Sequence, residues 1–331
     1  MSQSPLRVFR VEAGLTQGEL AARAGVSRQL VGAVEAGRHL PRVDAGLALA
    51  AALGVDAQRL FGSEGAASDV VSGLTPGERS AVRIGWVGNR IVTAPARLGG
   101  DGWGAADAVG EGGRVVPAGE VNSGAVVAGC EPGLETLEQL LRQGGSGAVA
   151  VATSSSGALA ALVAGRVHAA VVHGPVGSLP PIPPAVVRFR LTGWRVGLAI
   201  PPDIGPSWWQ DVLDGDLAVV QREPGAAVQR TFEEAVGRAT SSGPTVGGHV
   251  AAARHGMAAG LPAVTVEPAA LAVGAGFHPL GRHEAQLWVG EQWITDRGVE
   301  RLIDLIVSSG FRRRLDAVGG YDLDEIGSRV A

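Results

Sequence analysis

The segment from Leu15 to Gly37 constrains the fold more than any other part of the chain, because it specifies two helices and the turn between them. Thr16 and Glu19 form a capping-box pattern, which starts the first helix. Gly25 supplies the positive φ that a sharp turn between two crossing helices needs. Ser27 is a second N-cap. The segment therefore predicts a helix-turn-helix.

The second helix of this segment has an apolar face and an outward face. Leu30, Val31 and Val34 fall at helical spacing on the apolar face. An ordinary helical hairpin inside a larger domain is the alternative interpretation, but the two caps and the turn glycine together favour DNA binding. The outward face would then enter a DNA major groove, and its residues are Arg28, Gln29, Gly32 and Ala33.

This pattern resembles the helix-turn-helix family of phage repressors, the XRE family, over residues 4–62. The resemblance is carried by TQGELAARAGVS, the Glu35-Ala36-Gly37 step and Pro41. It implies that Gln17 contacts a phosphate, that Arg28 and Gln29 read base edges, and that a homodimer binds double-stranded operator DNA. The predicted DNA-binding residues are Arg10, Gln17, Ser27, Arg28, Gln29, Gly32, Ala33 and Arg38.

The charge is distributed unevenly along the 331 residues. Residues 1–62 contain seven arginines against five acidic residues, whereas the whole chain has a net charge of −4. This asymmetry favours DNA contact by the N-terminal part alone. The length predicts two or three domains with a sizeable core.

Cysteine usage and hydropathy favour a soluble cytoplasmic protein. The single cysteine, Cys130, excludes an intramolecular disulfide and a cysteine-based zinc site, and it suits a reducing cytosol. No run approaches 18 apolar residues without interruption. Arg7, Arg10 and Glu12 stand where a signal peptide would need its apolar stretch.

We predict three parts along the chain. Residues 1–62 form the helix-turn-helix DNA-binding domain, with a first helix over 4–13, a fourth over 43–53 and a short fifth over 56–61. Residues 63–123 form a linker and a small strand-rich bridge, with a hairpin around Gly88-Asn89 and a flexible loop over 99–113. Residues 124–331 form a bilobal ligand-sensing domain.

The third part alternates strands and helices. Strands at 125–129, 148–152 and 169–173 alternate with helices at 131–142 and 158–164, which is typical of a parallel sheet covered by helices. Further strands are predicted at 186–191, 195–202, 263–268 and 285–290, with a strand and turn at 217–225 and an FHPL step at 277–280. Further helices are predicted at 208–213, 226–238, 246–259, 295–308 and 311–315.

Several segments occur in an order that resembles intracellular domains related to molybdate-binding proteins, which have the type II periplasmic-binding-protein fold. These segments are GCEPGLETL, AALVAGRVHAAVVHGP, REPGAAVQ, GHVAAARHGMAAG, FHPL and FRRRLDAVGGYD, and they cover residues 124–331. The expected fold class is multidomain, an all-α helix-turn-helix head plus a bilobal α/β domain of this type. The resemblance implies an oxyanion ligand such as molybdate or tungstate.

A ligand is expected in the cleft, against helix N-termini at the carboxyl ends of strands. Relatives have a PGSGTR-like turn where this chain has PGAAVQ (224–229), so hydroxyl and guanidinium donors are missing there. A small organic molecule with one acidic or strongly polar end is therefore favoured over a bare dianion. The candidate ligand-binding residues are Cys130, Thr153, Ser154, Ser155, Ser156, His173, Arg222, Gln229 and His249.

Neither a cofactor nor a metal is predicted, because the histidines form no HxH or HExxH pattern. Ser155 lacks the GxSxG elbow of a nucleophile. The resulting hypothesis is a ligand-responsive transcriptional regulator that is not an enzyme. Two alternatives stay open: a DNA-binding scaffold whose degenerate cleft only dimerises, and an enzyme on the bilobal fold. For the enzyme, Glu131, Arg222, Glu223 and Glu267 show no recognised catalytic arrangement.

Overall fold

The computed structural model divides the chain into two compact units, residues 1–124 and 125–331. It describes residues 4–36, 41–55, 60, 68–70, 79–88, 90–96, 98–99, 102–103, 106–111, 114–118, 124–237 and 242–330. The predicted fifth helix at 56–61 lies outside these residues, apart from the buried Leu60. Arg38, a predicted DNA-binding residue, also lies outside them.

The head contains four helices among its described residues. They are α1 (Pro5–Glu12), α2 (Gln17–Ala24), α3 (Arg28–Glu35) and α4 (Val43–Leu53). One side chain from each helix meets the others in a small core, and each of them is fully buried. Because these apolar positions recur at helical spacing, each helix buries a single face. The core residues are Leu6, Leu20, Val31 and Leu49.

The rest of the first unit contains β1 (Ser68–Val70), β2 (Arg79–Val87), β3 (Arg90–Pro95), β4 (Leu98–Gly99), β5 (Gly102–Trp103), β6 (Ala108–Glu111) and β7 (Arg114–Pro117). Strands β1, β3, β2, β6 and β7 form one sheet in that order. The predicted hairpin is confirmed, since Val87 pairs with Arg90. The predicted loop at 99–113 was wrong where β6 lies, because pairing with β2 outweighs the local glycine content.

The second unit starts with the predicted parallel pattern, which is confirmed. Strand β8 (Val126–Gly129) pairs in parallel with both β9 (Val149–Ala152) and β10 (Ala169–Pro175). Helices α5 (Leu134–Gln143) and α6 (Ser155–Val163) connect them. These elements, with the C-terminal helices given below, form the first lobe. Gly129 must be glycine, since a Cβ there would lie 2.6 Å from Cβ of Val171.

Two long antiparallel strands run through both lobes. They are β11 (Val186–Ile200) and β13 (Gly276–Gly290). The prediction of two short strands in place of β11 was wrong, and the predicted strand at 285–290 covers only the second part of β13. The register shifts between Val196 and Gly197, where a Cβ on Gly197 would lie 1.9 Å from the carbonyl oxygen of His278. Glycine and a bulge therefore keep β11 continuous through both lobes, and we call β11 the hinge strand.

The second lobe is built around β12 (Ala263–Val266), which pairs with the later half of β11. Its helices are α7 (Trp208–Asp214), α8 (Ala227–Val236), α9 (His249–Ala259) and α10 (Glu267–Ala272). For the segment 217–225 a strand and turn were predicted; the strand was wrong, because only single bridges form, at Val220 and Gln221. The predicted strand at 263–268 ends earlier, at the start of α10.

The chain ends with α11 (Arg297–Ile306), α12 (Ser309–Val318), β14 (Tyr321–Asp322) and β15 (Arg329–Val330). Helices α11 and α12 pack on α5 of the first lobe. Strands β14 and β15 pair with β11, which ties the C-terminus to the hinge strand. Within the described part of the chain, no helix is both long and apolar enough to cross a membrane.

Candidate functional sites: an exposed recognition helix and an interlobe cleft

The helix-turn-helix forms as its local sequence dictates. The backbone N–H of Glu19 donates to Oγ1 of Thr16 at 3.2 Å, and the carboxylate of Glu19 accepts from the N–H of Thr16 at 2.7 Å. Gly25 ends α2 in the left-handed conformation with φ 64°. The N–H of Leu30 donates to Oγ of Ser27 at 3.1 Å. Both predicted caps and the predicted turn are confirmed.

The start of α3 is the exposed part of this motif. Ser27, Arg28 and Gln29 are all exposed, and the side chains of Arg28 and Gln29 are free to approach a base edge. Gly32 and Ala33, which the sequence also placed outward, are half-buried. A Cβ on Gly32 would lie 3.8 Å from Oε1 of Gln17, so this position faces the start of α2. The first turn of α3 is therefore the main candidate for base contacts.

Three side chains, which we call the head clasp, tie α1, α2 and α3 together: Arg10, Gln17 and Glu35. Nε of Arg10 donates to Oε1 of Glu35 at 2.6 Å, and Nε2 of Gln17 donates to Oε2 of Glu35 at 2.8 Å. Burial opposes ionisation of Glu35, but the hydrogen bonds from Arg10 and Gln17 outweigh it and lower the pKa of that carboxyl. Arg10 and Gln17, predicted to contact DNA, are thus engaged inside the head.

The hydroxyl cluster at the start of α6 lies in the first lobe and has internal partners. Oγ of Ser154 accepts from the N–H of Gly157 at 3.1 Å and lies 3.0 Å from Oγ of Ser156, which is exposed. Oγ of Ser155 accepts from the N–H of His173 at 3.1 Å. Ser154 therefore caps the helix, and Ser155 connects α6 to β10 through a hydrogen bond. Thr153 precedes them, half-buried.

The guanidinium of Arg222 is fully buried in the second lobe. Nε and Nη2 each donate to a carboxylate oxygen of Glu223 at 3.1 Å, and Nε also donates to the carbonyl of Val246 at 3.1 Å. Nη1 lies 2.7 Å from Nδ1 of His249. The side-chain oxygen of Gln229 accepts from the backbone N–H of Arg222 at 2.9 Å. Gln229 therefore positions the Arg222 backbone.

The two lobes meet at Cys130, His173 and His249, which we call the cleft cluster. Sγ of Cys130, just after β8, lies 3.2 Å from Nε2 of His249, at the start of α9. Nδ1 of His173, on β10, lies 3.4 Å from Nδ1 of His283, on β13. The structure thus brings together Cys130, His173, Arg222 and His249, all of which the sequence had proposed for ligand binding.

Burial determines the protonation of this region. It lowers the pKa of His173 to about 3, with help from the charges of His283 and Arg222. Burial and the charge of Arg230 lower the pKa of His283 to about 4. Burial and Arg222 also hold the pKa of His249 well below its usual value. Burial raises the pKa of the Cys130 thiol. At neutral pH the cluster is therefore uncharged, and Arg222 is the buried cation beside it.

Sequence reasoning did not identify His283 or Thr231, whose side chains extend this network. Nε2 of His283 lies 3.1 Å from Oγ1 of Thr231. The local sequence offers no signal for this pair, because 52 positions separate its members. The tryptophans pack in different ways. Trp288 is fully buried, whereas Trp208 and Trp209 are half-buried and contact the ring of His278, Trp208 edge-on and Trp209 at a tilt.

A helix-turn-helix head and a two-lobed α/β domain of the type II periplasmic-binding-protein fold define this molecule's class. A family model for a helix-turn-helix domain matches residues 5–60, and one for a PBP superfamily domain matches residues 137–307. Because the second match covers more than half of the chain, the chain belongs to the PBP superfamily. The predicted recognition and fold class are confirmed.

Several solved structures are similar to parts of the chain. An ABC-type phosphate transport receptor from Vibrio cholerae is 12% identical, with a TM-score of 0.41 over 60% of this chain and 99% of its own. An OxyR mutant from Corynebacterium glutamicum is 12% identical, with a TM-score of 0.45 over 95% and 93%. The restriction-modification controller protein C.AhdI from Aeromonas hydrophila is 38% identical over 18% and 88%, with a TM-score of 0.17. No curated protein matches the chain.

Proposed function

We propose that this protein is a cytoplasmic, ligand-responsive transcriptional regulator. Its head binds operator DNA as a homodimer, and its cleft closes on a small polar or anionic effector that changes operator affinity. The observation that supports this proposal best is the contact between Cys130 and His249 across the cleft, with the buried cation Arg222 behind it. Groups from both lobes that meet in this way can respond to an effector by closing or separating.

The DNA-binding half of the proposal rests on the first turn of α3. Its exposed Arg28 and Gln29 have the donor and acceptor groups that read guanine and adenine edges in the major groove. One such head reaches few base pairs, so two heads on a palindromic site, with half-sites about one helical turn or a multiple of it apart, would supply specificity.

The effector-binding half rests on Arg222. Most first-lobe hydroxyls already have internal partners, so the buried guanidinium is the stronger recognition group for an anionic end. The side chain of Arg222 is 0% exposed, whereas the side chain of its present partner, Glu223, is 37% exposed. A carboxylate or similar group on the effector would replace Glu223 and make the same two charge-assisted hydrogen bonds.

We propose no catalytic role for the carboxylates near the cleft, because they hold structural contacts. Glu131 accepts hydrogen bonds from the N–H of Gly133 at 2.9 Å, from Thr192 at 2.8 Å and from Tyr321 at 3.1 Å. Glu267 forms an ion pair with Arg195. Neither group is left available as an acid or a base.

Two measurements on the full chain test the proposal. Selection from random DNA should enrich a palindromic site. Thermal unfolding with a panel of small carboxylates and oxyanions should identify an effector, because a ligand at 100 times its dissociation constant stabilises the native state by roughly 2.7 kcal/mol. The effector should then change operator affinity. Arg222→Gln should abolish the thermal shift and keep DNA binding, whereas Arg28→Ala should do the reverse. Enrichment of no DNA site would contradict the proposal.

A further inference from the structure

The cleft cluster offers one metal-ligating atom from each of three side chains. An atom of Cys130, an atom of His173 and an atom of His249 all lie within 4.8 Å of one another. Bonds of about 2.0–2.3 Å in a tetrahedral zinc site place neighbouring ligand atoms roughly 3.3–3.7 Å apart. Sγ of Cys130 and Nε2 of His249 are 3.2 Å apart, which is already close to this spacing.

The hydrogen bonds around His173 prepare it to coordinate. Oγ1 of Thr231 donates its proton to the carbonyl of Ala227, so Nε2 of His283 must donate to Thr231. Nδ1 of the neutral His283 is then an acceptor, and the nearby Nδ1 of His173 must carry the proton between them. Nε2 of His173 is left with a lone pair. Such a fixed tautomer, with a partner on the second nitrogen, is typical of metal-ligating histidines.

The hydrogen bond from Arg222 to His249 opposes coordination in the present arrangement. A guanidinium only donates, so Nδ1 of His249 accepts from Arg222 and the proton of this imidazole lies on Nε2. Coordination through Nε2 requires the proton to move to Nδ1, which cannot then face Nη1 of Arg222 at 2.7 Å. Arg222 keeps its two bonds to Glu223 when this contact opens. Metal binding and the Arg222–His249 contact therefore exclude each other.

We propose that Cys130, His173 and His249 bind one thiophilic transition-metal ion, of which Zn²⁺ is the representative. Sγ of Cys130 and Nε2 of each histidine are the ligands, and the cysteine thiol releases its proton to solvent on coordination. One thiolate and two imidazoles match the preferences of Zn²⁺ and Cu⁺, and a fourth position stays open for water. The proposed site departs from the sequence-based expectation, which excluded a cysteine-based zinc site on the single cysteine and considered only closely spaced histidines. Here two histidines complete the site, and successive ligands lie 43 and 76 positions apart along the chain.

The proposed site goes beyond the proposed function, since metal binding is measured without DNA or effector. Because Cys130 and His173 lie in the first lobe and His249 lies in the second, one bound ion would link the lobes. It would hold the cleft closed and raise the unfolding temperature.

The test uses full-length, EDTA-treated protein. Zn²⁺ affinity is measured by competition with a chromophoric chelator, and Co²⁺ reports thiolate ligation through a sulfur-to-metal charge-transfer band. We expect one ion per chain. Cys130→Ser should remove the charge-transfer band. Each of the variants Cys130→Ser, His173→Gln and His249→Gln should weaken Zn²⁺ binding at least tenfold. The matched control is His255→Gln, an exposed histidine on the same helix as His249, which should bind like the wild type.

The variant Arg222→Gln tests whether the cleft cluster is a metal site or a purely structural network. Loss of the donor that competes for Nδ1 of His249 should strengthen Zn²⁺ binding severalfold, provided that circular dichroism shows a folded chain. Binding of Cu⁺ alone, lost in the same three variants, would support the site and identify its metal. The proposal is overturned if the wild type retains neither Zn²⁺ nor Cu⁺ against the chelator. It is also overturned if Cys130→Ser and His249→Gln bind metal like the wild type.

Discussion

Sγ of Cys130 in the first lobe lies 3.2 Å from Nε2 of His249 in the second lobe. The two residues are 119 positions apart in the sequence, Cys130 just after β8 and His249 at the start of α9. Their contact therefore depends on how the two lobes pack against each other and not on chain connectivity. Opening of the cleft would separate them. The distance between these two side chains therefore reports directly on lobe closure.

The serines at the start of α6 should differ in their effects. Ser155→Ala removes the hydrogen bond to the N–H of buried His173 and should lower the free energy of unfolding by about 1 kcal/mol. Ser156→Ala, at an exposed position, is the matched control and should change stability by less than about 0.5 kcal/mol. Urea unfolding of the full chain measures both. Equal stability losses in the two variants would show that the hydrogen bond between Ser155 and His173 does not stabilise the contact of α6 with β10.

The head clasp should make Gln17 a stability residue. Gln17→Ala removes a hydrogen bond to the carboxylate of Glu35 and should destabilise the head by roughly 1.5 kcal/mol. Hydrogen exchange of peptides from α1 to α3 in the full chain measures this locally. Gln29→Ala, at an exposed position on α3, is the control and should exchange like the wild type. Unchanged exchange in Gln17→Ala would leave a phosphate contact as the role of Gln17.

The same clasp predicts loss of head stability in acid. The pKa of Glu35 is lowered from its ordinary 4.5, so its contribution is complete above that value and is lost as the pH falls through the lower, folded-state pKa. Glu19 shifts in the same direction, because it accepts hydrogen bonds from Thr16. Glu35→Gln should therefore reduce, but not abolish, the pH dependence of head exchange between about pH 5 and pH 3. The same pH dependence in wild type and Glu35→Gln would contradict the role of Glu35.

Local signals predicted the head well, because its caps and turn depend on residues three or four positions apart. Thr16 with Glu19, and Ser27 with the N–H of Leu30, form as the sequence indicates. The role of Gln17 could not be predicted in this way. Its partner Glu35 lies 18 positions away, on the far end of the next helix.

The cleft was predicted only in part, since its elements were identified but their pairing was not. Cys130, His173, Arg222 and His249 were all proposed as ligand-binding residues, yet nothing local indicated that they contact one another. The long strand β11 was also divided in the prediction, because residues such as Gly193 suggest a break. In the sheet, Gly193 pairs with both Glu284 and Asp322, and this cross-strand pairing keeps the strand continuous.

Glu131 should anchor the C-terminal segment to the first lobe and the hinge strand. Glu131→Ala leaves the buried partners Thr192, Tyr321 and the N–H of Gly133 unsatisfied, and it should cost on the order of 3 kcal/mol. Glu131→Gln can still serve all three and should cost less than about 1 kcal/mol. Thermal unfolding compares the two variants. A similar loss in both would mean that the negative charge, and not the hydrogen-bonding shape, stabilises this site.

Burial raises the pKa of Glu131 from its ordinary 4.5, despite the hydrogen bonds from Gly133, Thr192 and Tyr321. Its contribution to stability is therefore complete below pH 4.5 and declines as the pH rises through the raised value. Wild type should lose stability relative to Glu131→Gln over that rise, as followed by unfolding at several pH values. A difference between the two proteins that does not change with pH would contradict the raised pKa.

Binding of a selected operator duplex by full-length protein, at one fixed salt concentration, tests the central claim most directly. We predict that the wild type prefers the selected palindrome over a scrambled duplex by at least a factor of about 1,000. Arg28→Ala should lose roughly 1–3 kcal/mol of that preference at one base position. The control Arg254→Ala, an exposed arginine on α9, should bind like the wild type. Equal affinity of the wild type for the selected and scrambled duplexes, or an Arg28→Ala variant that discriminates as well as the wild type, would contradict the account.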